Sequence, residues 1–264
     1  MNASLRSIAV AAAQRACAAA WPNQRQGASV LLYHSVGRNP AFFTVPPDAF
    51  ARQMAWLARS KKTVLPLGEL VLRRERGEPL ADCVALTFDD GYADNLEHAL
   101  PVLRRHGFRA SMFLIPGLMG TTYTTSDGVA LPLFSWEEAQ RARAGDAFEW
   151  LPHTDLHPEL PALSESDGLG EIRRGHERLA ALADAPVPKI LAYPRGKVDG
   201  RTPGWLAGLG WQAACTVRPG LFTAATDRFL IPRNPVDSRT SFARFRFFLS
   251  DAVQRYADLC QAIS

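Results

Sequence analysis

Two adjacent aspartates follow a short apolar segment in the first third of the chain. The segment runs from Val84 to Phe88, and Asp89, Asp90 and then a glycine come directly after it. A run of about four to eight mainly apolar residues that ends at such a breaker predicts a buried strand. Because an unpaired buried charge is costly, two acids at its end indicate a cationic partner: a metal ion, an arginine or a cationic substrate. The alternative is that they cap the next helix, since Asp is a favoured N-cap residue.

A pair of histidines forms the second group that could do chemistry. His153 and His157 are four positions apart, so on a helical turn both imidazoles would lie on one face, within reach of one metal ion. They follow a predicted strand, as the two aspartates do. Two histidines and one carboxylate at the carboxyl ends of strands predict a catalytic metal site with an open coordination position.

These residues belong to a chain in which strands and helices alternate with short connections. Strands are predicted at 28–36, 64–67, 84–90, 110–115, 148–151, 190–193, 211–217 and 229–231. Helices are predicted at 49–60, 68–76, 92–106, 163–183 and 205–209, with another beginning near 135. This alternation predicts parallel strands joined by crossover helices, which is an α/β fold. Residues 117–133 are rich in Thr and Gly and predict a loop over one mouth of that fold.

The composition is that of an ordinary globular protein with one large core. The 264 residues are 47% hydrophobic and 21% charged, with a net charge of +4. No basic tract with interleaved aromatic residues is present, which argues against a nucleic-acid partner. The widely spaced cysteines exclude a zinc finger and argue against a disulfide scaffold, so we expect reduced thiols and a cytoplasmic location. They are Cys17, Cys83, Cys215 and Cys260.

The two ends of the chain predict helices outside the central domain. Residues 1–27 predict an Ala-rich helix whose apolar stretch, Ile8 to Ala13, is shorter than a secretory signal needs; a non-standard export signal is the weaker alternative. Residues 238–264 carry aromatic and aliphatic side chains at helical spacing and predict an amphipathic helix packed on the barrel. The alternative is peripheral contact of this helix with a membrane surface or a partner, because aromatic residues beside arginines suit an interface.

Three motifs together resemble those of the polysaccharide deacetylases, the NodB-homology domain of carbohydrate esterase family four. They are Thr87-Phe-Asp-Asp-Gly91, His153-Thr-x-x-His157 and Ala192-Tyr-Pro-x-Gly196. Weaker matches lie at residues 32–36, 134–137, 206–211 and 231–233. The resemblance covers residues 28–237 and implies that they form a distorted (β/α) barrel of the NodB-homology type.

The resemblance also implies a set of site residues and a cofactor. A divalent metal, most often Zn²⁺, would be held by Asp90, His153 and His157, with Asp89 as the general base. The backbone N–H of Arg195 would stabilise the oxyanion of the reaction. The aromatic residues of the motif regions, Trp136 and Tyr193, are interpreted first as packing residues and second as contacts with a sugar.

The chain departs from the family pattern at three positions. Many members carry an arginine, paired with the catalytic Asp, where Ala192 stands, and often an aromatic residue where Arg195 stands. A late histidine that supplies the general acid is replaced by Arg233, which is a poor proton donor but stabilises negative charge. The candidate for the general acid is therefore His34, at the end of the first predicted strand. The two arginines and the positive net charge also suggest an anionic glycan.

The leading prediction is a metal-dependent deacetylase that hydrolyses N-acetyl groups of amino sugars in a surface polysaccharide or its lipid-linked precursor. A second hypothesis keeps the site and changes the acyl group, giving a deformylase of a lipid-linked amino sugar. A third is a catalytically inactive, metal-free glycan-binding relative. The intact aspartate and histidine pairs argue against the third, because a binding protein does not need two acids beside two metal ligands.

Overall fold

The computed structural model describes residues 27–143, 147–181 and 186–263. The helix predicted for residues 1–27 therefore lies outside the described residues, apart from Gly27, and so does Cys17. Cys83 and Cys215 are both buried and form no disulfide, as expected for reduced thiols. Among the helices of the described ranges, none is long and apolar enough to cross a membrane.

Strands and helices alternate through these residues as the sequence predicts. The described ranges contain eleven strands: β1 (Gly27–Tyr33), β2 (Thr63–Leu65), β3 (Cys83–Phe88), β4 (Ala110–Leu114), β5 (Thr122–Thr124), β6 (Ala130–Pro132), β7 (Phe148–Pro152), β8 (Ile190–Ala192), β9 (Ala213–Cys215), β10 (Phe222–Thr223) and β11 (Asn234–Pro235). The same ranges contain nine α-helices: α1 (Pro47–Arg59), α2 (Leu67–Glu75), α3 (Asp94–His98), α4 (Leu100–His106), α5 (Trp136–Arg143), α6 (Glu165–Ala180), α7 (Thr202–Gly208), α8 (Phe242–Phe248) and α9 (Ala252–Ile263).

Strand β3 lies at the centre of the main sheet and pairs in parallel with β1, β2 and β4. The sheet continues through β7, parallel to β4, and through β10 and β11, which pair with β1. Strands β8 and β9 form a separate parallel pair. In the part of the chain that the structure describes, no ladder joins β7 to β8, so the ring of strands is open on that side. The parallel strands β1, β3, β4 and β7 bring their carboxyl ends to one edge, where α/β folds carry their sites.

The central strands are buried on both faces, so they are almost continuously apolar. Along β3, Leu86 and Phe88 face the helices and pack in the same cluster as Phe50 and Leu103 of α1 and α4. Ala85 packs in a second cluster, which fills the barrel interior with side chains of β7, β8 and β9. Because side chains alternate along a strand, Thr87 and Asp89 follow Ala85 to the interior.

Two predicted helices are each divided in the structure. The helix predicted for residues 92–106 forms α3 and α4, because Pro101 has no N–H with which to continue the helical hydrogen bonds. The single C-terminal helix predicted within residues 238–264 forms α8 and α9. Short-range bonds from Leu249 N to Arg246 O and from Ser250 N to Phe247 O tighten and end α8.

Two further segments differ from the sequence prediction. The segment predicted as a loop at residues 117–133 contains the antiparallel hairpin of β5 and β6. The strand predicted at residues 229–231 is reduced to one bridge between Ile231 and Cys215.

The C-terminal helices are docked on the core, and this packing should contribute to stability. Phe245 of α8 is fully buried and lies edge-on to Trp56 of α1, with ring centroids 6.0 Å apart. We expect Phe245→Ala to lower the free energy of unfolding by about 3–5 kcal/mol, measured in urea, because it opens a cavity. The matched control is Phe242→Ala on the same helix, where the side chain is 42% exposed and the loss should stay within about 1 kcal/mol. Equal effects of the two substitutions would contradict this docking.

Candidate active site

The two aspartates separate because the chain changes direction after β3. The N–H of Asp89 still donates to Tyr33 O at 3.0 Å, which continues the pairing of β3 with β1. Asp90 then adopts a left-handed conformation with φ of 68°, and Gly91 follows with φ of 79°. A Cβ atom on Gly91 would lie 2.5 Å from Leu114 Cδ2, and the positive φ would strain any other residue, so this position favours glycine. The bend leaves Asp89 in the barrel interior and turns Asp90 toward the histidines.

The histidine pair follows β7 in a bent loop instead of the helical turn on which the sequence prediction was based. His153 N donates to Leu114 O at 2.7 Å, and His157 N donates to the hydroxyl of Thr154 at 3.1 Å. Thr154 and His157 both have positive φ, of 63° and 64°. The two imidazole rings lie with their centroids 4.7 Å apart. The loop therefore brings the two rings together, as predicted, by a different backbone geometry.

Asp90, His153 and His157 converge on one point. Asp90 Oδ1 lies 3.6 Å from His153 Nε2 and 3.5 Å from His157 Nε2, and the three donor atoms are all within 4.8 Å of one another. Asp90 Oδ1 is buried and has no hydrogen-bond partner among the described residues. Ligand atoms placed tetrahedrally around zinc, at about 2.0–2.2 Å from it, are about 3.3–3.6 Å apart. The spacing and the donor types therefore fit a divalent metal.

Both histidines present the nitrogen that a metal requires. His153 Nδ1 lies 2.7 Å from the carbonyl oxygen of Ala192, which only accepts, so Nδ1 carries the proton and Nε2 is free. His157 Nδ1 lies 3.1 Å from the hydroxyl of Tyr123. Burial is the largest cause that lowers the pKa of each histidine, to about 4. Both rings are thus neutral at pH 7, which is the form that binds a metal.

Asp89 forms a buried ion pair with Arg233. The guanidinium Nη1 and Nη2 atoms lie 2.6 and 2.7 Å from Asp89 Oδ1 and Oδ2, a bidentate arrangement. Arg233 is fully buried, donates from Nε to Thr216 O at 3.0 Å and lies over the ring of Phe113. Burial alone would raise the pKa of Asp89, but the charges of Arg233 and then His153 outweigh it and lower that pKa to about 2. The carboxylate therefore stays ionised beside the convergent donors.

Many family members pair the first aspartate with an arginine at the position of Ala192. In this chain Arg233 pairs with Asp89 instead. In the sequence, Arg233 aligns with the position of the general acid, and its pairing with Asp89 was missed. A signal was present, since a carboxylate at the end of a buried strand requires a cation. The choice of partner depends on the tertiary fold, because Arg233 is 144 positions from Asp89.

Helix α6 supports the histidine loop from behind. Glu171 accepts hydrogen bonds from the backbone N–H groups of Asp155 and Leu156, at 3.2 and 2.9 Å. The carboxylate of Asp155 is buried and lies 3.4 Å from Arg174 Nε. Asp155 therefore belongs to the loop's anchor and does not extend into solvent. The backbone of the loop touches α6 at Gly175, where a Cβ atom would lie 2.5 Å from Thr154 O.

The other predicted site residues lie around this group in different environments. His34 follows β1 and stacks on Phe43 with ring centroids 4.9 Å apart. Burial raises the pKa of Asp89, and the charge of His34 is among those that lower it, after the charges of Arg233 and His153. A role for His34 as general acid stays a prediction.

The three remaining predicted site residues lie in different surroundings: Arg195 in a turn, and Tyr193 and Trp136 in apolar clusters. Arg195 has a positive φ of 55° and its guanidinium lies 3.2 Å from Glu159. Its N–H is at the start of a short 3-10 turn, where backbone donors have no partner within the turn. Tyr193 is fully buried in one apolar cluster, and Trp136 is partly buried against a different one.

The ion pair of Asp89 and Arg233 leads to a stability prediction. We expect Arg233→Met to lower the free energy of unfolding of the metal-free protein by about 3–5 kcal/mol at pH 7, because Asp89 stays buried without its partner. The double variant with Asp89→Asn should recover part of this loss, since no lone charge remains.

The contribution of this ion pair to the stability of the unaltered protein should also depend on pH. Because the folded pKa of Asp89 is below its unfolded value, the stabilisation is fully present above about pH 4 and is lost as the pH falls toward 2. Urea unfolding at pH 7 and pH 3 measures both effects. A single Arg233→Met variant as stable as the unaltered protein would show that the pair contributes nothing.

The contact at Gly175 leads to a second prediction. Gly175→Ala should destabilise the protein by about 1–3 kcal/mol, because its methyl group forces α6 away from the histidine loop. The matched control is Gly204→Ala in α7, where nothing lies within 4 Å of the new Cβ atom, and a gain of about 0.4–1 kcal/mol is expected. Thermal unfolding of both variants measures this difference, and a Gly175→Ala protein as stable as the control would contradict the close approach.

Comparison with known proteins agrees with this geometry. The family model described as polysaccharide deacetylase matches residues 76–214, just over half of the chain. YxkH of Bacillus subtilis, which bears the name of a polysaccharide deacetylase, is 25% identical over 221 residues, covering 83% of this chain and 75% of YxkH. The poly-beta-1,6-N-acetyl-D-glucosamine N-deacetylase of Staphylococcus epidermidis is 25% identical over 202 residues, covering 72% of this chain and 67% of that enzyme.

A solved structure shows the same fold. The deacetylase PplD of Streptococcus pyogenes, in complex with acetate, superposes with a TM-score of 0.74 at 23% identity, covering 85% of this chain and 98% of that chain. This likeness confirms the predicted α/β fold of the NodB type. The chain therefore belongs to the polysaccharide deacetylase family and is a hydrolase of the carbohydrate deacetylase class.

Proposed function

We propose that the protein is a metal-dependent deacetylase that hydrolyses N-acetyl groups of amino sugars in a surface polysaccharide or its precursor. The observation that carries this proposal is the convergence of Asp90, His153 and His157, in which Asp90 Oδ1 is buried without a hydrogen-bond partner among the described residues. Two imidazoles and one carboxylate leave room for a further ligand and suit Zn²⁺ or a similar first-row ion. A bound divalent cation would polarise the amide carbonyl and lower the pKa of water.

Asp89 is the general base of this proposal. Its Oδ2 atom lies 3.8 Å from His153 Nε2, so the carboxylate borders the convergent donors. Arg233 fixes the orientation of the carboxylate and holds it ionised. A carboxylate has about four lone-pair sites, so two remain to accept the proton of an attacking water molecule.

The remaining steps are assigned to Arg195 and His34. The N–H of Arg195 is the proposed donor to the oxyanion that forms when the amide carbonyl is attacked, and its positive φ sets the direction of that turn. His34 is the candidate that would deliver a proton to the departing amine.

The substrate proposed here is a neutral N-acetylated glycan. A relative with 25% identity is named for poly-beta-1,6-N-acetyl-D-glucosamine, which supports a polymer of N-acetylated amino sugars. The anionic glycan suggested by the sequence has less support, because Arg233 is paired with Asp89 and Arg195 lies against Glu159. Contact with a lipid-linked sugar or a membrane, and a cytoplasmic location, stay predictions.

Acetate release tests the proposal. The protein should release acetate from oligomers of β-1,6-linked N-acetylglucosamine or of chitin, lose this activity with a chelator and regain it with zinc. Asp89→Asn should keep about one equivalent of metal and lose about 10²–10⁴-fold in turnover, because the proton acceptor is removed while the three proposed metal ligands stay. Asp90→Asn is the matched variant, and it should lose metal as well.

Three results would contradict parts of this proposal. Normal hydrolysis by Asp89→Asn would reject the assigned base. Release of formate from N-formyl substrates without release of acetate would identify a deformylase. Metal content below about a tenth of an equivalent, not restored by zinc, would favour a binding protein without catalysis.

A further inference from the structure

The hairpin of β5 and β6 connects the two segments that carry the proposed metal ligands. At one end it is attached to the turn that follows Asp90: Ala93 N donates to Pro132 O, and Phe134 N donates to Gly91 O, at 2.9 and 2.8 Å. On the neighbouring strand, Tyr123 of β5 pairs with Leu131 and reaches His157. The hairpin therefore contacts both the turn that carries Asp90 and the loop that carries His157.

Tyr123 contacts His157 through both its ring and its hydroxyl. The two rings are edge-on at 86°, with centroids 5.7 Å apart, and the hydroxyl lies 3.1 Å from His157 Nδ1. The Tyr123 ring also packs on a small apolar cluster that contains Tyr92 and Leu133, next to the Asp90 turn. The side chain is thus held from behind while its hydroxyl faces the imidazole.

The partners of the two histidines differ in chemistry. His153 Nδ1 faces a carbonyl oxygen, which accepts only, whereas His157 Nδ1 faces a hydroxyl, which can donate or accept. When Nε2 of His157 binds a metal, Nδ1 must carry the proton, so the Tyr123 oxygen has to be the acceptor.

We propose that Tyr123 is a positioning residue, which holds His157 in the tautomer and orientation for metal binding. The inference rests on the proposed function, because it presupposes a metal at His157. It makes a separate claim, namely that a residue outside the family motifs sets the affinity for that metal.

The test is Tyr123→Phe, which keeps the ring packing and removes only the hydroxyl. Zinc affinity is measured by competition with a chromophoric chelator, and the Co²⁺-loaded protein gives an absorption spectrum that reports ligand geometry. Loss of an outer hydrogen bond to a ligating histidine should raise the zinc dissociation constant about 10–100-fold, with a changed cobalt spectrum and an unchanged melting temperature of the metal-free protein. The matched control, Tyr256→Phe in α9, should leave the zinc affinity and the cobalt spectrum unchanged.

Long-range ¹H–¹⁵N spectra of the histidines give a readout that does not depend on turnover. In the zinc-free protein, Tyr123→Phe should shift the tautomer population of His157 and leave that of His153 unchanged. A zinc dissociation constant within about three-fold of the unaltered protein, with an unchanged His157 tautomer, would overturn the inference. Failure of the unaltered protein to bind zinc would instead reject the proposed function, so the two failures are distinct.

Discussion

The buried ion pair between Asp89 and Arg233 is the interaction on which the rest of the site depends. Asp89 lies in the interior-facing row of β3, where a carboxylate without a cation would become neutral. Arg233 reaches it from a segment 144 positions later and is itself held by the carbonyl oxygen of Thr216 and the ring of Phe113. The carboxylate can thus stay charged in an apolar barrel only when the C-terminal part of the chain has closed over it.

The backbone around this pair carries strain that other elements offset. Four of the five non-glycine residues with positive φ in the described ranges belong to the site, namely Asp90, Thr154, His157 and Arg195. Such conformations cost of order 1–3 kcal/mol each and persist only where the surroundings determine them. Helix α6 holds the histidine loop through Glu171 and the contact at Gly175, and the β5–β6 hairpin holds the Asp90 turn. Rigid neighbours therefore maintain a geometry that the local sequence alone would not adopt.

The sequence predicts those parts of the site that depend on local pattern. Asp90 and His153 follow apolar strands closely, and the parallel arrangement of such strands brings their carboxyl ends to one edge, where the two side chains converge with His157. The pairing of Asp89 with Arg233 and the approach of Tyr123 to His157 depend on tertiary contacts, which leave no periodic signal. The β5–β6 hairpin was missed for the same reason: its Thr- and Gly-rich residues predict a loop, and its hydrogen bonds to the Asp90 turn form only in the folded chain.

The contacts that support the site extend beyond the part of the chain that carries the three motifs. The segment that matches the family model, residues 76–214, contains both aspartates and both histidines but stops before Arg233 and omits β1, the parallel neighbour of β3. A fragment cut at those limits would keep the three main motifs and still lose the counter-ion of Asp89. The family match therefore covers a shorter segment than the one that keeps Asp89 paired with a cation. A fragment that retains this ion pair must extend at least to Arg233.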